Sequence, residues 1–241
     1  VTVKLAFVGE GTTELGRDEE PSAVSGGGNG HQGFLEIILR KVLYDKFGKV
    51  PLFTVVSKRP WKSLKKHSHL NSRKSGFKKK EIECTHSRRL SQAATLARYD
   101  KADGLIFLID DDKASFTDSL LQNIPRIKEN HPLMKIAAGT ALRAIEAALL
   151  ADTSAVDKVV GALKYSGKKD LEDVPDPKFV FKEAFESAKK ARTIRHHKMS
   201  FSEARLRIFA ELNLETVQSR CPNGLGRFIS QLEEVVLLFE A

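Results

Sequence analysis

Hydrophobic positions fall into two rhythms along this chain, and their order predicts the architecture. Short runs in which nearly every position is apolar, Thr2–Val8, Leu52–Val56, Gly104–Ile109 and Lys135–Ala138, read as buried strands. Between them lie segments whose apolar residues recur near the helical period. Gly33–Phe47 carries Phe34, Ile37, Ile38 and Val42 on one face, interrupted by Lys41, and Ser87–Tyr99 carries Leu90, Ala94 and Ala97. Ser115–Asn130 and Thr140–Ala151 complete this helical set. Alternating strands and helices predict an α/β sandwich around a mostly parallel sheet, since parallel neighbours need a crossover that a helix supplies.

Beyond the turn-rich Asp173-Val174-Pro175-Asp176-Pro177-Lys178 the pattern changes. Phe179–Ala191, Ser200–Leu212 and Gly226–Glu240 read as helices with no strand between them. Ser200 or Ser202 would cap the second, and Cys221-Pro222-Asn223-Gly224 is a turn before the last. The expected organisation is an α/β core over 1–152, with a basic insertion at about 57–86, and a mostly helical C-terminal extension over 153–241 packed on that core.

Composition narrows the class. A chain of 241 residues with 41% hydrophobic content can bury a substantial core. Its longest apolar runs, Leu105–Ile109 and Val235–Phe239, fall far short of the roughly 20 residues that span a bilayer. Val1–Val8 has neither the basic start nor the cleavage site of a signal peptide, so a cytoplasmic protein with no membrane partner is expected. Two cysteines, Cys84 and Cys221, make neither a disulfide scaffold nor a zinc site. The pattern fixes no oligomeric state.

The net charge of +9 is concentrated. Lys58, Arg59, Lys62, Lys65, Lys66, Arg73, Lys74, Lys78, Lys79 and Lys80 form a run without an acid, so the rest of the chain is near neutral. With Trp61 and Phe77 among them, these residues suit phosphate contacts and base stacking, which makes nucleic acid the expected partner. A solvated Lys- and Ser-rich loop is the alternative.

Candidate chemistry lies in acids that end strands. Glu10 follows Val3–Gly9, and Asp110 and Asp112 end the run Leu105–Ile109. Clustered carboxylates repel one another and persist mainly where a divalent cation neutralises them, Mg²⁺ or Mn²⁺ being the natural occupant. Asp110 and Asp112 share one side of an extended strand, while Asp111 faces the other and is expected to support the site from behind, as is Glu14. A polar turn with a helix cap is the alternative for Asp110–Asp112. Gly9-Glu10-Gly11-Thr12-Thr13-Glu14 imitates a dinucleotide fingerprint, but Glu14 stands where its third glycine belongs; the glycine run Ser25–Gly30 lacks the lysine of a phosphate-binding loop.

Five segments in order carry a family resemblance: Glu10–Glu14, Asp110–Asp112, Glu146 through Leu150-Ala151-Asp152, Asp176-Pro177-Lys178, and Cys221-Pro222. The first two resemble the glutamate and DxD motifs of Toprim domains. The whole set is similar to the stand-alone Toprim-like family known as domain of unknown function 4276. The resemblance implies a Toprim-like Rossmannoid sandwich, with Glu10, Asp110 and Asp112 as catalytic and metal-binding residues. Glu10 would be a ligand or a general base, and Glu146 would complete a second metal site or be an ordinary helix glutamate. It further implies a metal-dependent nuclease in genome defence or repair, working beside a partner ATPase. A nucleic-acid-binding module without chemistry and a phosphotransfer enzyme for small molecules remain the other two classes.

Overall fold

A computed structural model of the chain describes residues 2–16, 32–67, 85–111, 114–161, 171–191 and 198–239. Its centre is a sheet of four parallel strands in the order β2-β1-β3-β4, formed by β1 (Val3–Gly9), β2 (Phe53–Pro60), β3 (Gly104–Asp111) and β4 (Lys135–Leu142). The expected α/β class with a parallel sheet is the observed one. Short helix α1 (Thr12–Leu15) and helix α2 (Phe34–Phe47) separate β1 from β2. A 3-10 turn over Trp61–His67 and helix α3 (Thr85–Tyr99) precede β3, and α4 (Ala114–Asn130) joins β3 to β4.

Strand order dictates how the helices divide. The chain steps from β1 to β2 in one direction and from β2 past β1 to β3 and β4 in the other. Keeping each crossover right-handed then requires α2 on one face of the sheet and α3 and α4 on the other. The two cores follow that division. Leu5, Phe7, Ile106, Leu108 and Ala141 face α2, whereas Ala6, Val8, Leu105, Phe107 and Ile109 face Leu90 and Ala94 of α3 and Leu120 and Ile124 of α4. Both faces of β1 and β3 are therefore closed to water, which is why these strands read as unbroken apolar runs.

Beyond β4 the chain is helical among the described residues: α5 (Ala147–Ala151), α6 (Thr153–Val160), α7 (Pro177–Lys190), α8 (Phe201–Glu211), α9 (Leu214–Arg220) and α10 (Leu225–Leu237). These helices extend the α2-side core, with Phe209 of α8 edge-on to Phe34 of α2 at 4.6 Å between ring centroids. Helix α10 lies on β4 where Gly139 leaves no side chain. A Cβ there would stand 2.7 Å from the Cβ of Phe228, closer than packed carbons come.

Two expectations are corrected. Leu52–Val56 is the start of a longer strand that continues through Lys58 and Arg59 to Pro60, so the basic segment begins inside the sheet rather than in a loop. Thr140–Ala151 is not one helix. β4 runs on to Leu142, pairing with β3 as far as Asp111, and helix resumes only at Ala147. The alanines of Lys135-Ile136-Ala137-Ala138-Gly139-Thr140-Ala141 favour helix intrinsically, but sheet pairing and the cover of α10 override propensity.

The short helices α6 and α9 are held by one acid. Asp152 caps α6, Oδ1 accepting the Ala155 N–H at 3.0 Å, and its Oδ2 accepts the Asn213 N–H at 2.8 Å just before α9. Asp176 caps α7 through the Phe179 N–H alone, with Pro177 in the first turn, and Ser200 rather than Ser202 caps α8. Asp152→Ala strands two donors, the buried Ala155 N–H and the part-buried Asn213 N–H, and is expected to cost about 2 kcal/mol, against about 1 kcal/mol for Asp176→Ala. Urea unfolding of both variants checks this; equal losses would contradict the double role of Asp152.

Candidate active site at the carboxyl ends of the central strands

In an open parallel sheet, ligands bind where successive crossovers diverge, in the crevice outside the carboxyl ends of the strands at that point. Here the divergence lies between β1 and β3. Glu10 is the first residue past β1, and Asp110 is paired with Ala141 near the end of β3.

Glu14 is delivered to this edge by local geometry. Gly11 precedes α1 and its N–H donates to Glu14 Oε2 at 2.7 Å, one half of a capping box. Helix α1 can fold tightly over the strand end because Gly9 has no side chain; a Cβ there would meet the Cβ of Glu14 at 2.7 Å. Gly33 likewise leaves room for the backbone of Glu14–Gly16. The glycines that imitate a nucleotide fingerprint thus serve to seat an acid. Glu14 is buried, and burial raises its carboxyl above the usual range, opposed by its backbone hydrogen bonds and reinforced by Glu146.

Asp110 stands where the acids meet. Following the alternation of Ile106 and Leu108, it lies on the α2 side of β3, and Oδ1 accepts the Ile145 N–H at 3.2 Å. Burial, then the charges of Glu14, Glu146 and Glu10, push its carboxyl up to about 8, so in the absence of a cation it holds a proton at neutral pH. Glu146, 2% exposed, precedes α5 and pairs with Arg205 of α8, itself 5% exposed. Arg205 also lies 5.4 Å from the ring centre of Phe201, and its charge reaches Glu14. The anticipated second-site glutamate is therefore occupied by an internal counter-ion, which nothing adjacent to Glu146 in sequence indicates. The usable signal is in α8: Phe201, Ala204, Ile208 and Phe209 mark its apolar face, and Arg205 sits within it.

Glu10 acts on both sides of the sheet edge. It raises Asp110 and is the acid whose charge supports Arg89, a buried arginine of α3. Among the basic residues, Arg59 Nη2 is engaged with Asp100 at 2.6 Å, Lys58 is half-buried and Lys62 is exposed. The side chains of Lys65, Lys66 and Asp111 lie outside the described residues, as do Arg73, Lys74, Lys78, Lys79, Lys80, Asp112 and Lys113. Cys221 is a buried structural thiol pushed up to about 12 by burial and then by Glu172, whose carboxylate accepts the Asn223 and Gly224 N–H groups of the turn before α10.

The donor chemistry around Asp110 is all carboxylate, which suits a hard divalent cation. The spacing is wider than a ligand set: among the described residues no three acidic, histidine or cysteine side chains stand together closely enough to hold a metal ion. Also among the described residues, no helix is long and apolar enough to cross a membrane. No protein-family model, curated protein or solved structure matches the chain.

Proposed function

We propose that this chain hydrolyses phosphodiester bonds of nucleic acid with Mg²⁺ or Mn²⁺, in the manner its Toprim-like motifs imply. The observation that supports this most is the convergence of Glu10, Glu14, Asp110 and Glu146, from three separate segments, on the crevice where the strand order reverses. Asp110 and Asp112 would hold the cation, with Glu10 as a further ligand or as the base for the attacking water. The cation would supply Lewis-acid stabilisation of the attacking and leaving oxygens. What the chain itself provides is placement. The Ile145 N–H orients Asp110, and Gly11 orients Glu14, while Arg205 pairs with Glu146. A partner ATPase and a role in defence or repair rest on the resemblance alone.

A second reading, a nucleic-acid-binding module without chemistry, is favoured by two features: Glu146 is already paired, and the described acids do not close around a single ion. Labelled DNA and RNA incubated with Mg²⁺ or Mn²⁺ separate the two. Cleavage is expected, falling by about 100-fold or more in Glu10→Gln and Asp110→Asn. Cleavage undiminished in both variants would refute hydrolysis at this site, and binding without cleavage by the wild type would establish the second reading.

A further inference from the structure

On the opposite side of the same sheet edge is a buried arginine that the carboxylate site does not use. Arg89, in the second turn of α3, is only 4% exposed, and its guanidinium carbon lies 3.3 Å from the ring centre of Trp61. Its Nε and Nη1 have no hydrogen-bond partner among the described residues. Leaving buried guanidinium donors without acceptors is costly, at roughly 1–3 kcal/mol or more for a charged group, so Arg89 calls for an acceptor that the described residues do not supply. The indole face holds the planar group in one orientation, and adjacent N–H groups of a guanidinium match two oxygens of a phosphate in a fork that lysine cannot form.

Its position says which acceptor. Pro60 pairs with Gly9, so Trp61 and Glu10 leave neighbouring strand ends side by side. Glu10 is the only acid whose charge acts noticeably on Arg89 among the described residues. A substrate phosphate approaching the carboxylates alone would be repelled; a rigid guanidinium across the crevice supplies the opposing attraction.

We infer that Arg89, backed by Trp61, binds a backbone phosphate of a nucleic-acid strand and positions it beside Glu10 and Asp110. The nucleic-acid identity of the ligand rests on the proposed hydrolysis; the phosphate site does not. Trp61 is the only tryptophan in the chain, which makes its emission a direct reporter of the neighbouring guanidinium.

The test uses the full chain with EDTA, titrated separately with oligothymidylate, thymidine monophosphate and inorganic phosphate while Trp61 fluorescence is followed. A saturable change with oligothymidylate is expected, with the smaller phosphates weaker. Arg89→Gln should weaken oligonucleotide binding about 10-fold or more, and Arg89→Lys should weaken it less, at an unchanged melting midpoint. Trp61→Phe, read by anisotropy of a labelled oligonucleotide, should retain binding. If Arg89→Gln fails to fold, Arg89→Lys and the wild-type titration still decide the matter. No saturable response in the wild type, or equal affinity in a folded Arg89→Gln, overturns the site. A response to inorganic phosphate alone overturns the nucleic-acid assignment. Because no cation is present, Arg89-dependent binding can hold when cleavage fails, and the reverse, so the two readings fall separately.

Discussion

Arg205→Met is expected to remove about 3–5 kcal/mol of folding stability, far more than an ordinary helix substitution, because it leaves Glu146 as a buried and unpaired charge. The loss is compounded by the setting. Arg205 also offsets Glu14, so without it two acids and Asp110 face one another with no internal cation. Glu146→Gln in the same chain should recover much of the loss, since replacing both members of a buried pair costs less than orphaning one. Chemical unfolding of the two single variants and the double variant gives the coupling, expected to exceed about 1 kcal/mol. Strictly additive losses would show that the two side chains do not act as a pair, and the present picture of the cluster would then be wrong.

The second large effect is on pH dependence. The carboxyl of Asp110 titrates near 3.8 in an unfolded chain and is pushed up to about 8 in the folded one, chiefly by burial and then by Glu14, Glu146 and Glu10. A raised folded-state value means the native protein binds the proton more tightly than the unfolded chain does. Its contribution is fully present below pH 3.8 and is lost as pH rises through about 8. Allowing for partial contact with solvent, the loss is of order 3 kcal/mol. Metal-free wild type should therefore lose stability between about pH 4 and 8 relative to Asp110→Asn, which cannot ionise there. Melting midpoints of both proteins across this range, in EDTA, make the comparison. Mg²⁺ should narrow the difference at pH 8 more than at pH 6, because only the ionised carboxylate gains from the cation. Parallel curves for the two proteins would remove the basis for treating Asp110 as the focus of the cluster.

How much of this is legible in the sequence depends on which physical signal each part emits. Strands β1 and β3 announce themselves because both their faces are buried, and Glu10 and Asp110 stand out as acids that end such runs. The extent of β4 does not, since its alanines and Gly139 owe their conformation to neighbours distant in sequence. Arg205 and Arg89 escape for a related reason. Each lies on the apolar stripe of its helix, Arg205 beside Ala204 and Ile208, Arg89 four residues before Ala93, and a lone cation there reads as noise until the opposing element is placed. Three of the five segments behind the family resemblance have local work here: Asp152 and Asp176 cap helices, and Cys221 lies buried where α9 ends. Those three positions are accounted for by the fold itself.

The seat of α10 on β4 has a consequence for how this polypeptide matures on the ribosome. Gly139 is shaped to receive Phe228, and the cover that Phe228, Ile229, Leu232 and Val236 give to the α2 side of the sheet is synthesised long after the strands it protects. At translation speeds of about 5–20 residues per second, the emerging sheet stays open on that side for several seconds. During that interval Leu108, Ala137 and Ala141 depend for cover on α2 and on the helices that emerge between β4 and α10.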